Sequence, residues 1–113
     1  MRSEVEIHGL SEQPDAVSLL LPEHLAEAGA LRLMDTFKEL LQSGLRSFVL
    51  DLSQTQLMTD AGLGALNHIK SQTKGQLIFL SPSEKIRTLF EAVGLSVPIL
   101  HSVEEAQRKL QEG

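Results

Sequence analysis

The stretch Leu50-Asp51-Leu52-Ser53-Gln54-Thr55-Gln56-Leu57-Met58-Thr59-Asp60-Ala61-Gly62-Leu63-Gly64-Ala65-Leu66 decides how this chain reads. It follows Phe48 and Val49, so residues 48–52 form an apolar run of strand length. Polar Ser53 to Gln56 then interrupt it, and from Asp60 onward the apolar residues fall at helical spacing through Leu63, Leu66 and Ile69. This is a strand that passes through a polar loop into a helix, with Gly75 as the expected stop.

The same alternation extends in both directions. Three further apolar runs, over residues 17–21, 77–80 and 97–100, have strand length, the last with Pro98 inside it. A helix is expected over residues 30–43, burying Leu31, Met34, Phe37, Leu40 and Leu41 and stopping at Gly44. Ile86, Leu89, Phe90 and Val93 give a complete i, i+3, i+4, i+7 stripe. Ser81 is the expected cap of that helix, Pro82 its first residue, Glu84 the partner in a capping box, and Gly94 its left-handed stop. A last helix follows Ser102, with Glu105 closing a second capping box and Val103, Ala106 and Leu110 facing inward.

Strands that alternate with helices imply an α/β domain with a mixed, largely parallel sheet of four to five strands and about four helices. Val5-Glu6-Ile7-His8 alternates apolar and polar residues and is expected to add an edge strand before turn residues at positions 11–15. No internal repeat, linker or low-complexity tract divides the chain, so residues 1–113 are expected to form one domain.

Composition narrows the class. With 42% apolar and 22% charged residues the chain has the balance of a folded globular domain. Its longest apolar stretches, such as Leu19 to Leu21 and Leu77 to Leu80, fall far short of the ~20 residues a membrane-spanning helix needs. The opening Met1-Arg2-Ser3-Glu4-Val5-Glu6 lacks the apolar core of a signal peptide, so a cytoplasmic location is expected. Cysteine is absent, which removes disulfides, thiolate metal sites and cysteine nucleophiles. A formal charge of -5 without any Lys/Arg cluster argues against nucleic acid as a partner.

The segment quoted first carries more than fold. Val49 to Ser53, followed by a short loop and then Ala61-Gly62-Leu63, resembles the STAS family, the anti-sigma-factor antagonists and their relatives, with their V-L-D-L-S-like strand and D-S-S-G-L or S-S-A-G-L helix start. The final third resembles the family too, in its G-x-L-x-L-like strand, its helix ending in Gly94-Leu95 and the Glu104-Glu105-Ala106 of its last helix. The resemblance covers roughly the whole chain.

It implies a non-enzymatic partner-switching regulator in signal transduction and transcription. The implied partner is a histidine-kinase-like ATPase, an anti-sigma factor or serine kinase, and no cofactor is implied. In such proteins a serine or threonine at the start of this helix is phosphorylated, which switches binding by adding a charge of about -1.5 to -2. Here the motif places Asp60 at that position, so the resemblance implies either a built-in mimic of the phosphorylated state or a shift of the acceptor role to neighbouring Thr59. Thr55, Gln56, Thr59, Asp60, Gly62, Leu63 and Gly64 become the expected partner surface, with Thr55, Gln56, Thr59, Asp60 and Gly64 exposed. The alternative within the family is a STAS subunit of an ABC-type lipid-transport complex. A transporter tail is disfavoured for want of a membrane segment.

Plainer readings stand beside these. Asp60 also fits as an acid that complements the helix dipole, and Thr59 as an N-cap. Gly62 and Gly64 lack the third glycine of a dinucleotide loop, because Asn67 occupies its place. Asp51 lies in a run suited to burial, where its side chain can cap the following loop. His8, His24, His68 and His101 show no metal spacing, and no Ser/His/Asp arrangement is legible. A phospho-receiver domain needs an acidic pair after an early strand and a lysine after the last one; the chain offers Leu21-Pro22-Glu23 and Leu100-His101-Ser102 instead.

Overall fold

The computed structural model describes residues 5–10 and 13–112. Residues 1–4, read above for signal character, and 11–12, part of the expected turn, lie outside the described residues. The elements run β1 (Glu6–Gly9), β2 (Ala16–Leu20), β3 (His24–Leu25), α1 (Glu27–Gln42), β4 (Ser47–Asp51), β5 (Leu57–Met58), α2 (Asp60–Gln72), β6 (Leu77–Leu80), α3 (Glu84–Val93), β7 (Ile99–Leu100) and α4 (Val103–Glu112). Among the described residues no helix is long and apolar enough to cross a membrane.

Five strands form one sheet in the order β1-β2-β4-β6-β7. β1 is antiparallel to β2 and the remaining pairs are parallel, so the expected mixed α/β sheet with an N-terminal edge strand is what forms. Alternation along the strands divides the core. Val17, Leu19, Phe48, Leu50 and Phe79 point to one face, where residues of α1, α2 and α3 cover them. Ala16, Val49, Ile78 and Leu80 point to the other, against Ala106 and Leu110 of α4. Two tilted aromatic pairs bind helices to the sheet: Phe37 of α1 with Phe48 at 4.8 Å, and Phe79 with Phe90 of α3 at 5.0 Å.

Several local expectations are corrected. α1 starts at Glu27, and its core stripe is Ala30, Leu33 and Phe37, which leaves Leu31 65% exposed. The reason is Gly29, which faces the His24 carbonyl and the Pro22 ring at distances only a residue without Cβ accepts comfortably. That close approach sets the rotation of the helix. α3 is capped by Ser83, whose hydroxyl accepts from the Ile86 amide at 3.2 Å, so the capping box of Ser81 with Glu84 does not form.

Ser81 is engaged elsewhere: its amide donates to Leu100 O, its hydroxyl to His101 O, and its backbone turns to φ 50. Pro82 accordingly lies outside the helix. Val93 and Val103, expected inward, are 56% and 42% exposed. Gly94 does stop α3 at φ 71, and Gly44 follows the cap of α1 at φ 98. α2 ends at Thr73 before reaching Gly75, which instead lets its own chain close on Arg46, to whose carbonyl its amide donates.

The capping box at α4 forms. Ser102 accepts from the Glu105 amide at 3.1 Å, and the Glu105 carboxylate reaches back to accept from the His101 amide at 3.0 Å.

Candidate functional site

The polar loop after β4 is organised by hydrogen bonds to a segment more than thirty positions earlier in the chain. At its start Asp51 Oδ1 accepts from the Ser53 amide at 2.9 Å, the structural role its position suggested. Gln54 then donates through Nε2 to Leu21 O at 2.7 Å, and Thr55 through Oγ1 to Pro22 O at 2.9 Å. The amides of Gln56 and Leu57 both donate to Glu23 O, at 2.7 and 3.1 Å, and the Thr59 amide donates to Leu25 O at 3.2 Å.

These bonds make a second, two-stranded parallel sheet of β3 and β5, in which His24 faces Leu57 and Leu25 faces Met58. Neither short strand was legible as one in the sequence. Each has two residues, too few to show alternation.

This small sheet sets where α2 begins. A Cβ on Gly62 would run into the Leu25 carbonyl oxygen and lie 3.0 Å from Met58 Cγ, so the first turn of α2 seats against β3 only because residue 62 is glycine. Gly64, two residues further, is exposed, and a Cβ there would have nothing within 4 Å. Half-buried Leu63 lines a shallow groove of ≈ 240 Å³ with Gly64, Asn67, Val93 and Leu95.

The seven predicted site residues therefore divide. Gln56, Asp60 and Gly64 are exposed on one end of the domain, and Thr59 and Leu63 are half-buried beside them. Gly62 is buried. Thr55, expected to be exposed, is 2% accessible, because its hydroxyl is committed to Pro22 O. Sequence reading missed Leu57, which is 41% exposed, and exposed Glu23, which β3–β5 pairing brings beside it.

Thr59 is the N-cap of α2, yet its hydroxyl makes no capping bond. Its Oγ1 is enclosed and has no hydrogen-bond partner. Asp60 supplies the one acid in the first turn, where the partial positive charge of the helix start favours it. Among the described residues no three of His, Cys, Asp and Glu converge on a point where they could hold a metal ion.

Known proteins share this fold. The chain aligns with the anti-sigma factor antagonist SpoIIAA of Bacillus in its unphosphorylated form with a TM-score of 0.73, at 15% identity over 97% of this chain and 99% of that one. The crystal structure of the Thermotoga maritima protein TM1081 aligns with a TM-score of 0.82, at 23% identity over 95% and 94% of the two chains. An anti-sigma factor antagonist from Mycobacterium paratuberculosis gives 0.80, at 13% identity over 96% and 93%. At such identities the likeness is one of fold. No curated protein matches the chain. The STAS domain model matches residues 10–106, nearly the whole sheet and all three helices that pack on one face of it, and the chain belongs to the STAS domain family.

Proposed function

We infer that the whole chain, residues 1–113, acts as one cytoplasmic, non-enzymatic partner-switching regulator of the anti-sigma-factor-antagonist type. Its partner is a histidine-kinase-like ATPase, an anti-sigma factor or serine kinase, and its output is control of transcription. The partner docks on the β4–α2 loop and the first turns of α2, through Gln56, Asp60 and Gly64 at the surface with Leu63 and Thr59 behind them. Thr55 and Gly62 serve that surface from below, Thr55 by tying the loop to Pro22 and Gly62 by seating the helix.

The observation that carries the reading is Asp60, an exposed carboxylate on the first residue of a helix whose start is held by its own small sheet. Family resemblance assigns that position to a phospho-acceptor serine or threonine, and an acid there is a standing, weaker version of the phosphorylated state. Its charge lies where the α2 dipole stabilises it and where a docking surface must meet it. The neighbouring hydroxyl of Thr59 is enclosed, which favours Asp60 over Thr59 as the residue that carries the charge.

The test is to recover the tagged protein from its own cells, identify the ATPase that accompanies it, and measure binding of that ATPase to the wild type, Asp60→Ala and Asp60→Ser. Binding is expected to change by more than a few-fold in both variants. With ATP present, the kinase is expected to phosphorylate Asp60→Ser and leave the wild type unmodified. Equal affinities across the three proteins would sink the assignment. Recovery of an ABC-type ATPase with membrane subunits would replace it by a role in a lipid-transport complex.

A further inference from the structure

The five-stranded sheet ends at β1, and no described strand lies along its outer edge. All four of its residues, Glu6 to Gly9, are exposed. An edge strand of this kind keeps a row of backbone N–H and C=O groups available for pairing with a further strand.

The side chains of β1 divide by face. Ile7 lies opposite Leu19 and Gly9 opposite Val17, on the face that α1, α2 and α3 cover, and Val5, just before the strand, packs on that face too. Glu6 lies opposite Leu20 and His8 opposite Ser18, on the other face. Ile7 is 53% exposed, and nothing lies within 4 Å of where a Cβ on Gly9 would be. Glu6 and His8 attract one another along the strand, Oε1 to Nε2 at 3.7 Å.

We propose that a second copy of this chain pairs along this edge, β1 antiparallel to β1, about a two-fold axis normal to the sheet that passes between Ile7 and the second copy's Ile7. An axis in that direction keeps like faces together, so only registers that oppose residues of the same face are open. In the Ile7-centred register the helix-covered face is apolar throughout: Ile7 meets Ile7, and Val5 meets the open space at the second copy's Gly9. On the other face Glu6 meets the second copy's His8, and His8 its Glu6. An imidazole N–H donates to a carboxylate in either protonation state, and a protonated imidazole adds an ion pair.

The neighbouring symmetric registers lose this match. One sets Glu6 against Glu6, and the other sets His8 against His8 and leaves both acids without an imidazole; like charges directly opposite are destabilising. The alternation of β1 therefore specifies one register.

The joint makes one sheet of two copies of β1-β2-β4-β6-β7. Because the two copies run antiparallel, the strand ends that lead into α2 lie at opposite ends of it, and the two Asp60 surfaces face apart. Residues 5–9 are few beside the ~20–30 a side of a stable interface, so the pair is weak and reversible. β1 precedes residues 10–106, which match the STAS model, and the pairing does not rest on the partner named above.

The test uses the full chain in sedimentation equilibrium. The wild type is expected to show a monomer–dimer equilibrium, His8→Glu to weaken it about tenfold or more by opposing acid to acid, and Glu6→Lys combined with His8→Glu to restore it. The chain lacks cysteine, so single-cysteine variants read the register directly. Ile7→Cys is expected to form a disulfide between copies at least about tenfold faster than His8→Cys, whose thiols the register holds too far apart to bridge. Melting temperatures near that of the wild type show that the variants fold. A wild type that stays monomeric to about 1 mM would overturn the proposal. So would a dimer indifferent to His8→Glu, a folded double variant that stays monomeric, or equal cross-linking from Ile7→Cys and His8→Cys.

Discussion

The start of α4 and the start of α2 solve the same physical problem in opposite ways. At α4 the capping side chains are used: Ser102 caps the Glu105 amide, and the Glu105 carboxylate accepts from the His101 amide and lies within reach of the Ser102 hydroxyl. At α2 the hydroxyl of the cap residue is idle, the first amides are open, and the chain is positioned by bonds from Gln54, Thr55, Gln56, Leu57 and Thr59 to residues 21–25. One start is held by its own side chains. The other is held by a platform, which leaves its side chains free for something else. That division of labour supports the proposed working surface at α2, and substitutions on the two sides of it should behave differently.

The largest effect is expected where platform and helix touch. Gly62→Ala puts a Cβ against the Leu25 carbonyl oxygen, a backbone atom fixed by β3–β5 pairing and by the Thr59 amide, and it cannot yield as a side chain would. Overpacking of this kind costs about 3 kcal/mol. In a domain of this size that lowers the melting temperature by more than about 10 °C, readable by calorimetry. A loss of under 1 kcal/mol would mean that α2 is not seated as described.

Next comes the platform itself. Thr55→Val keeps the shape of a buried side chain and removes the donor to Pro22 O, leaving that carbonyl without its bond. The cost expected from chemical denaturation is about 1–3 kcal/mol. Partner binding should weaken beyond the stability loss, since the loop beside Asp60 loses a tie to residues 21–25. At α4, Ser102→Ala should cost about 1 kcal/mol. It should leave partner binding unchanged, because that helix packs on the opposite face of the sheet. If Ser102→Ala weakened binding as much as Thr55→Val, the contrast between the two helix starts would collapse.

The parts of this contrast differ in how readable they are from the chain alone. The α4 start is local: Ser102 and Glu105 are three residues apart, and the box forms as the spacing implies. The α2 platform is not local, since its bonds join residues more than thirty positions apart and its strands are too short to show a period. Thr55 reads as exposed because it is polar in a polar loop. Only the Pro22 carbonyl above it explains its burial.

The rotation of α1 was ambiguous for another reason: Leu31, Leu33, Leu40 and Leu41 supply two overlapping apolar stripes, and the contact of Gly29 with the β3 segment chooses between them. The exchange of Ser81 for Ser83 at α3 has the same origin, in a sheet contact to Leu100 and His101 that local spacing does not contain. The mixed, largely parallel sheet and the place of Asp60 at the start of α2 followed from patterning, because they rest on runs long enough to carry it.

The smallest effect separates stability from binding most cleanly. Gly64 sits in the interior of α2 with nothing within 4 Å of where its Cβ would be, so the isolated domain has no steric need for glycine there. Glycine in a helix interior costs about 1 kcal/mol relative to alanine. Gly64→Ala should therefore raise the unfolding free energy by about that amount. Gly64 also borders the groove formed with Leu63, Asn67, Val93 and Leu95, one turn along the helix from Asp60. A partner that lies across α2 and that groove can approach the bare backbone at Gly64, and a methyl group there holds it away. The expected outcome is a domain that melts several degrees higher and binds its partner several-fold more weakly, a combination no loss of folding can produce. Unchanged binding in a stabilised Gly64→Ala would confine the contact to the Asp60 end of the helix and leave the groove with Val93 outside it.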